Sequence, residues 1–159
     1  MQLVKILEFA FSLEIYNATS AHQTLFPLPK GGSVYVESPE EILADKIVAC
    51  FDRINIRGTL KPSDLFDIYY ISEQFAIHNL EKELIDKKLR DYSLAPTILN
   101  TTKLFNYLND KQNLVKIDTF FKDFLSKKYV DKLDVQTVVC CAREMFKYVE
   151  CLYTINGNK

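Results

Sequence analysis

The stretch SPEEILADKIVACFDR, residues 38–53, predicts an amphipathic helix. Its apolar residues recur at the three- and four-residue spacing of one helix face: Ile42, Leu43, Ile47 and Cys50. Lys46 lies four residues after Ile42 and four before Cys50, so it falls on the same side. A lysine there either extends its aliphatic stem until the ammonium reaches water, or it needs an anionic partner. The stretch therefore predicts a helix with one chemically unusual position.

The ends of this helix and the start of the next carry recognisable signals. Ser38 can cap the first helix, and Glu41 completes a Ser-x-x-Glu capping box. We predict that this helix ends near Arg53. After a connection, Ser63 is a possible cap for a second helix that runs to about Phe75.

The remaining residues predict a small amount of strand followed by a helical body. Alternating apolar residues predict a strand over 3–15, residues 16–33 are typical of a loop, and a short strand is expected at 34–37. Four further helices are predicted, over 79–92, 95–110, 117–132 and 135–155. The expected fold is α+β and mostly α: a short N-terminal sheet packed on a helical bundle, in a single domain over 1–159.

Composition excludes several classes of protein. With 159 residues, 48% of them apolar and 26% charged, the chain has the composition of one folded domain. The net charge of -1 gives no general electrostatic reason to bind nucleic acid or a membrane, and no apolar run is long enough to span a bilayer. The four cysteines form no C-x-x-C pair, and the two histidines lack metal-ligand spacing. We expect a cytoplasmic protein with reduced, mostly buried thiols and no metal site of its own.

Three acidic residues are candidates for chemistry. Asp64 and Asp67 are three residues apart, so they share a helix face. Asp64 also suits the first turn of its helix, whereas Asp67 lies among apolar residues and needs a cation, for which Lys46 is a candidate. A structural ion pair would explain the same residues without catalysis. Glu8, in an otherwise apolar strand, is either solvated or lines a site.

Together, ESPEEILADKIVACFDR and KPSDLFDIYYI resemble the AbiEii-type nucleotidyltransferase toxins of abortive-infection and type IV toxin–antitoxin systems. The resemblance implies that 1–75 is part of a nucleotidyltransferase core and that 76–159 is a helical C-terminal region. It further implies that Lys46 binds the phosphates of a nucleotide and that Asp64 and Asp67 are catalytic, one of them acting as a base or positioning the acceptor. Mg²⁺ and a nucleoside triphosphate are the implied cofactor and substrate.

One part of the family pattern is missing from the sequence. The family carries Gly-Ser followed by an Asp-x-Asp pair that holds the metals, but this chain contains no Asp-x-Asp, and Gly32-Ser33 lies after the predicted acidic strand. The chain is therefore expected to be a truncated C-terminal portion, inactive and without a cofactor when isolated, unless an upstream segment supplies the motif.

The alternative is a non-enzymatic helical module that binds an antitoxin or another protein partner, or that forms a homodimer. An RNA acceptor is expected only if the chain is active, and no membrane partner is expected.

Overall fold

The computed structural model describes residues 24–27, 33–125 and 133–154. The chain separates into two compact units, residues 1–38 and residues 39–159. The predicted strand at 3–15, and Glu8 within it, lie outside the described residues, so the sheet expected from the sequence is not shown. The single-domain organisation with a boundary at residue 75 stays a prediction.

In the first unit the structure describes a β-hairpin. Strand β1, Thr24–Pro27, pairs antiparallel with strand β2, Ser33–Val36, in a register that places Thr24 opposite Val36. β2 lies one residue earlier than the strand expected at 34–37. The prediction of a loop throughout 16–33 is wrong, because β1 falls inside it. Thr24 and Phe26 favour extended backbone, and Pro27 stands at the strand end, where its missing N–H is tolerated.

The second unit is helical, as the sequence predicts. Its helices are α1 (Pro39–Arg57), α2 (Pro62–Phe75), α3 (Lys82–Asp91), α4 (Thr102–Asn109), α5 (Lys111–Phe124) and α6 (Val135–Thr154), with a 3₁₀ turn at Pro96–Ile98. In the described part of the chain, no helix is both long and apolar enough to cross a membrane.

The boundaries of α1 and α2 differ from the predicted ones. α1 continues four residues past Arg53, because Ile54 is buried in the core and extends the apolar face by a turn. The helix ends where Gly58 adopts φ +65° and donates its N–H to the Ile54 carbonyl at 3.1 Å. α2 begins at Pro62, so Ser63 lies within the first turn and is not its cap. Proline suits that first position because it has no N–H to leave unpaired.

The later helices also begin or end at residues other than the predicted ones. The helix expected over 95–110 is a 3₁₀ turn followed by α4, and the buried Thr101 lies between them. The Glu150 carboxylate accepts the Thr101 N–H at 3.0 Å, which satisfies a backbone donor at the start of α4. α5 starts before the expected residue 117, because Asp110 caps it by accepting the N–H groups of Gln112 and Asn113.

Helix α1 occupies the centre of the helical unit. It packs most extensively against α2 and also against α3 and α4, while α6 packs against α2, α3 and α5. Phe51 of α1 meets Phe146 of α6 edge to face, with ring centroids 5.5 Å apart, and both side chains are fully buried. Because α1 and α2 share this core with the later helices, the side chains they present are held on a rigid support.

The prediction that most thiols are buried is wrong. All four cysteines are free, but only Cys50 is buried; Cys140 is exposed, and Cys141 and Cys151 are partly exposed. Burial raises the pKa of Cys50 well above its ordinary value, with the negative charge of Asp64 adding to the effect. Cys50 is therefore a small apolar core residue and not a nucleophile.

Candidate functional site

The unusual lysine of α1 lies between the two aspartates of α2. The Lys46 ammonium is 3.2 Å from Asp64 Oδ1 and 2.9 Å from Asp67 Oδ2. The predicted proximity of these three residues is confirmed, although their catalytic and binding roles stay predictions. The arrangement follows from the two helix periods. Lys46 points from α1 toward the packed neighbour α2, and a spacing of three residues puts both carboxylates on the α2 face that receives it.

The two aspartates differ in their access to solvent. The Asp64 side chain is only 6% exposed, and the residue lies in the first turn of α2, where the helix dipole favours a carboxylate. The Asp67 side chain is 35% exposed and that of Lys46 is 27% exposed. Asp64 is thus the inner anchor of the lysine, whereas Asp67 and Lys46 reach the surface and can meet a ligand.

The electrostatics of the cluster keep the lysine charged. Burial lowers the pKa of Lys46, but attraction to Asp67 and then to Asp64 outweighs burial, so the pKa is raised overall. Burial raises the pKa of Asp67, and repulsion from Asp64 adds to it, while attraction to Lys46 opposes the rise. One ammonium is therefore shared by two carboxylates, and the carboxylate that reaches solvent, Asp67, has a raised pKa.

A second charged network lies between α1 and α3, and the sequence reasoning missed it. The Glu41 carboxylate is buried and accepts Lys87 Nζ at 3.0 Å and Lys88 Nζ at 3.3 Å, both from α3. Asp45 accepts the hydroxyl of Tyr92 at 3.1 Å and lies 3.9 Å from Lys88 Nζ. The network connects α1 to α3 in the way that Lys46 connects α1 to α2.

The sequence does contain a signal for this network. Lys88 falls at helical spacing among the buried apolar residues of α3, namely Leu84, Ile85 and Leu89. This is the same pattern that makes Lys46 conspicuous in α1. Glu41 fits a capping box in the sequence, and in the structure its carboxylate also pairs with the two lysines.

The described residues do not form a cluster of three metal ligands. Within 24–27, 33–125 and 133–154, no three histidine, cysteine or acidic side chains come together as possible metal ligands. Asp64 and Asp67 are the nearest approach to such a set, but the Lys46 ammonium lies between them. The described part of the chain thus contributes a cation and two carboxylates at this place.

One described groove is lined by none of these three cluster residues. Its volume is about 530 Å³, and side chains of α2 and α6 line it. Its acidic lining residues are Glu73, Asp134 and Glu144. An acidic groove repels phosphates, so it does not compete with the lysine cluster as a place for a nucleotide.

Residues 7–134 match the family described as "Nucleotidyl transferase AbiEii toxin, Type IV TA system". The match covers well over half of the chain, including all of α1 and α2, so the chain belongs to this family and the resemblance is confirmed. No curated protein and no solved structure matches the chain significantly.

Proposed function

We propose that α1 and α2 carry the lysine and aspartate half of a nucleotidyltransferase site. The observation that supports this proposal is the Lys46 ammonium held at 3.2 Å from Asp64 and 2.9 Å from Asp67, with Lys46 and Asp67 both reaching the surface. A purely structural ion pair would not require a second, partly exposed carboxylate, because the buried Asp64 already compensates the lysine.

Each residue has a role that its environment suits. Lys46 keeps its positive charge at neutral pH and binds a phosphate of the nucleotide as a compact cation. Asp67, with a raised pKa and an accessible carboxylate, accepts the proton of the attacking hydroxyl or positions that hydroxyl. Asp64 holds the ammonium from the inner side. Nucleotidyl transfer depends mainly on such positioning and on charge neutralisation.

The family implies Mg²⁺ and a nucleoside triphosphate. The described residues include no cluster of three metal ligands, and the sequence contains no Asp-x-Asp pair. When bound, such a metal would neutralise the charge on the phosphates. We therefore expect this chain, by itself, to bind a nucleotide without transferring it.

Nucleotide binding tests the proposal. Isothermal titration of the chain with ATP, GTP, CTP and UTP in magnesium buffer is compared for the native protein and Lys46→Ala. We expect binding of at least one nucleotide and a loss of about tenfold in affinity on substitution, since about 1.4 kcal/mol of phosphate contact is removed. Lys122→Ala is the matched control, because Lys122 forms an ion pair with Asp118 on the exposed face of α5. Equal affinities for the native chain and Lys46→Ala, or no binding at all, would contradict the proposal.

The alternative is an interaction module, and one observation favours it. Phe124, at the end of α5, is 70% exposed and stacks on Phe120 with ring centroids 4.6 Å apart. An exposed aromatic ring of this kind suits contact with an antitoxin, another protein, or a second copy of the chain. Light scattering would then show a dimer that Phe124→Ser converts to a monomer. A native monomer would exclude self-association.

A further inference from the structure

The charge of Lys46 is already largely neutralised within its own cluster. Two carboxylates approach one ammonium to within 3.2 Å, so the three side chains together carry an excess of negative charge. A phosphate approaching this surface meets repulsion from Asp67 as well as attraction to Lys46. Binding a phosphorylated ligand here therefore requires a further cation on the same surface.

Arg53 of α1 meets this requirement by its position. It follows Lys46 by seven residues, which is close to two helical turns, so the two side chains leave the helix on nearly the same side, about 10 Å apart along the axis. The buried Cys50 lies between them in sequence, and its thiol experiences the charges of Asp64, Lys46, Arg53 and Asp67. The arginine therefore belongs to the electrostatic environment of the lysine cluster.

Arg53 is partly exposed, and one of its donors has no partner. Its Nε is buried and makes no hydrogen bond with any described residue, and the described ion pairs do not include Arg53. A buried donor without a partner is costly and uncommon in a folded protein. Arg143 also has an Nε without a partner. Unlike Arg53, however, it has other described contacts, because its Nη2 donates to Asn109 and its guanidinium lies over the Phe105 ring.

We propose that Arg53 is a second phosphate-binding residue, which binds a phosphate of the substrate two helical turns along α1 from Lys46. A guanidinium presents its N–H groups as a planar fork that fits phosphate oxygens in pairs. Two cations spaced along one helix face suit a ligand with more than one phosphate. Such a ligand is either the triphosphate of a nucleotide or the backbone of an RNA acceptor. This inference rests on the proposed function, because it takes the substrate to be phosphorylated.

The test measures binding of two probes, inorganic tripolyphosphate and a short single-stranded oligouridine, to the full chain at low salt. Arg53→Gln is compared with Arg57→Gln, which removes the same charge from the exposed end of the same helix. We expect Arg53→Gln to weaken the binding of one probe by about tenfold, which corresponds to the loss of one charge-assisted phosphate contact. Arg57→Gln should bind both probes with nearly the native affinity. A loss confined to tripolyphosphate identifies the nucleotide as the source of the phosphate, and a loss confined to the oligomer identifies the RNA.

The inference is overturned if Arg53→Gln and Arg57→Gln bind both probes equally, or if the native chain binds neither. Arg53→Lys keeps the charge but not the fork, so an intermediate affinity is expected. If Arg53→Gln does not fold, as judged by far-UV circular dichroism, native affinity in Arg53→Lys overturns the inference. Lys46→Ala separates the two proposals. Weak nucleotide binding in Lys46→Ala together with native binding of both probes in Arg53→Gln overturns only the arginine site. Native nucleotide binding in Lys46→Ala together with weak probe binding in Arg53→Gln overturns the proposed role of Lys46 and leaves the arginine site.

Discussion

Removing the charge of Glu41 should destabilise the protein strongly. The Glu41 side chain is 1% exposed and accepts two lysines, and Lys88 itself is 5% exposed. Glu41→Gln keeps the shape but removes the negative charge that lies 3.3 Å from the buried Lys88 ammonium, while Asp45 stays 3.9 Å from it. Removing one partner of a buried ion pair costs about 3–5 kcal/mol. Because Asp45 compensates in part, we expect a loss of about 3 kcal/mol in the free energy of unfolding, at the lower end of that range.

Urea denaturation followed by circular dichroism measures this loss, and thermal unfolding should show a midpoint about 6–12 °C lower. In the double variant Glu41→Gln/Lys88→Met the Lys88 ammonium next to the amide is gone, so part of the stability should return. The matched control is Asp118→Asn, which breaks an exposed ion pair in α5 and should cost less than about 0.5 kcal/mol. If Glu41→Gln loses no more than this control, or if the double variant is less stable than the sum of its single changes, the reasoning about the network is refuted.

Three further predictions concern the lysine cluster, the end of α1 and the pH dependence of stability. Lys46→Met should raise the pKa of Asp67 further, because burial already raises it and the opposing attraction to Lys46 is lost. A carboxyl titration by NMR measures this pKa, and a lower pKa in the variant would contradict the described geometry. Gly58→Ala should lower the free energy of unfolding by about 1 kcal/mol, measured by urea denaturation. The cost is backbone strain alone, because φ is +65° and an added Cβ would meet no atom within 4 Å. An unchanged stability would show that α1 ends differently. Partial burial acts to raise the pKa of Glu150, but hydrogen bonds from Lys147 and from Thr101 lower it overall, so its stabilising effect is present above its ordinary pKa and disappears as pH falls through the lowered value. The difference in stability between the native protein and Glu150→Gln should therefore shrink between about pH 5 and pH 3, and a difference that grew on acidification would contradict the assignment.

The sequence is informative where one charge interrupts an apolar helix face. Lys46 lies in such a face, and Asp67 lies in an apolar segment, so the need of each charge for compensation is enough to predict their pairing. The same reasoning applies to Lys88, so the need of this lysine for an anionic partner could be predicted from its position among apolar residues. The identity of the partner could not, because Glu41 is more than forty residues away and already has a local explanation at the start of α1.

Other features depend on contacts that no local pattern contains. β1 resembles a loop in sequence, because it has only four residues and ends in proline. Such a short segment forms a strand only when it pairs with a second strand, and its partner β2 comes later in the chain. The predicted end of α1 comes too early, since the burial of Ile54 results from tertiary packing and not from the spacing of its neighbours. The unpaired Nε of Arg53 likewise cannot be predicted from the sequence, because a missing hydrogen-bond partner is a property of the folded chain alone.

The two networks of α1 together determine how this helix can be rotated about its own axis. Asp45 and Lys46 are consecutive, so they point about 100° apart, one toward α3 and the other toward α2. Turning α1 by that angle in one direction would bring Asp45 toward Asp64 and Asp67, and turning it in the other would bring Lys46 toward Lys88. Either rotation would place like charges next to each other where they are partly buried, which is unfavourable. An apolar face alone would tolerate a modest rotation of the helix with repacking. The alternating charges instead select one angular setting of α1, and with it the direction in which Lys46 and Arg53 present their positive charge.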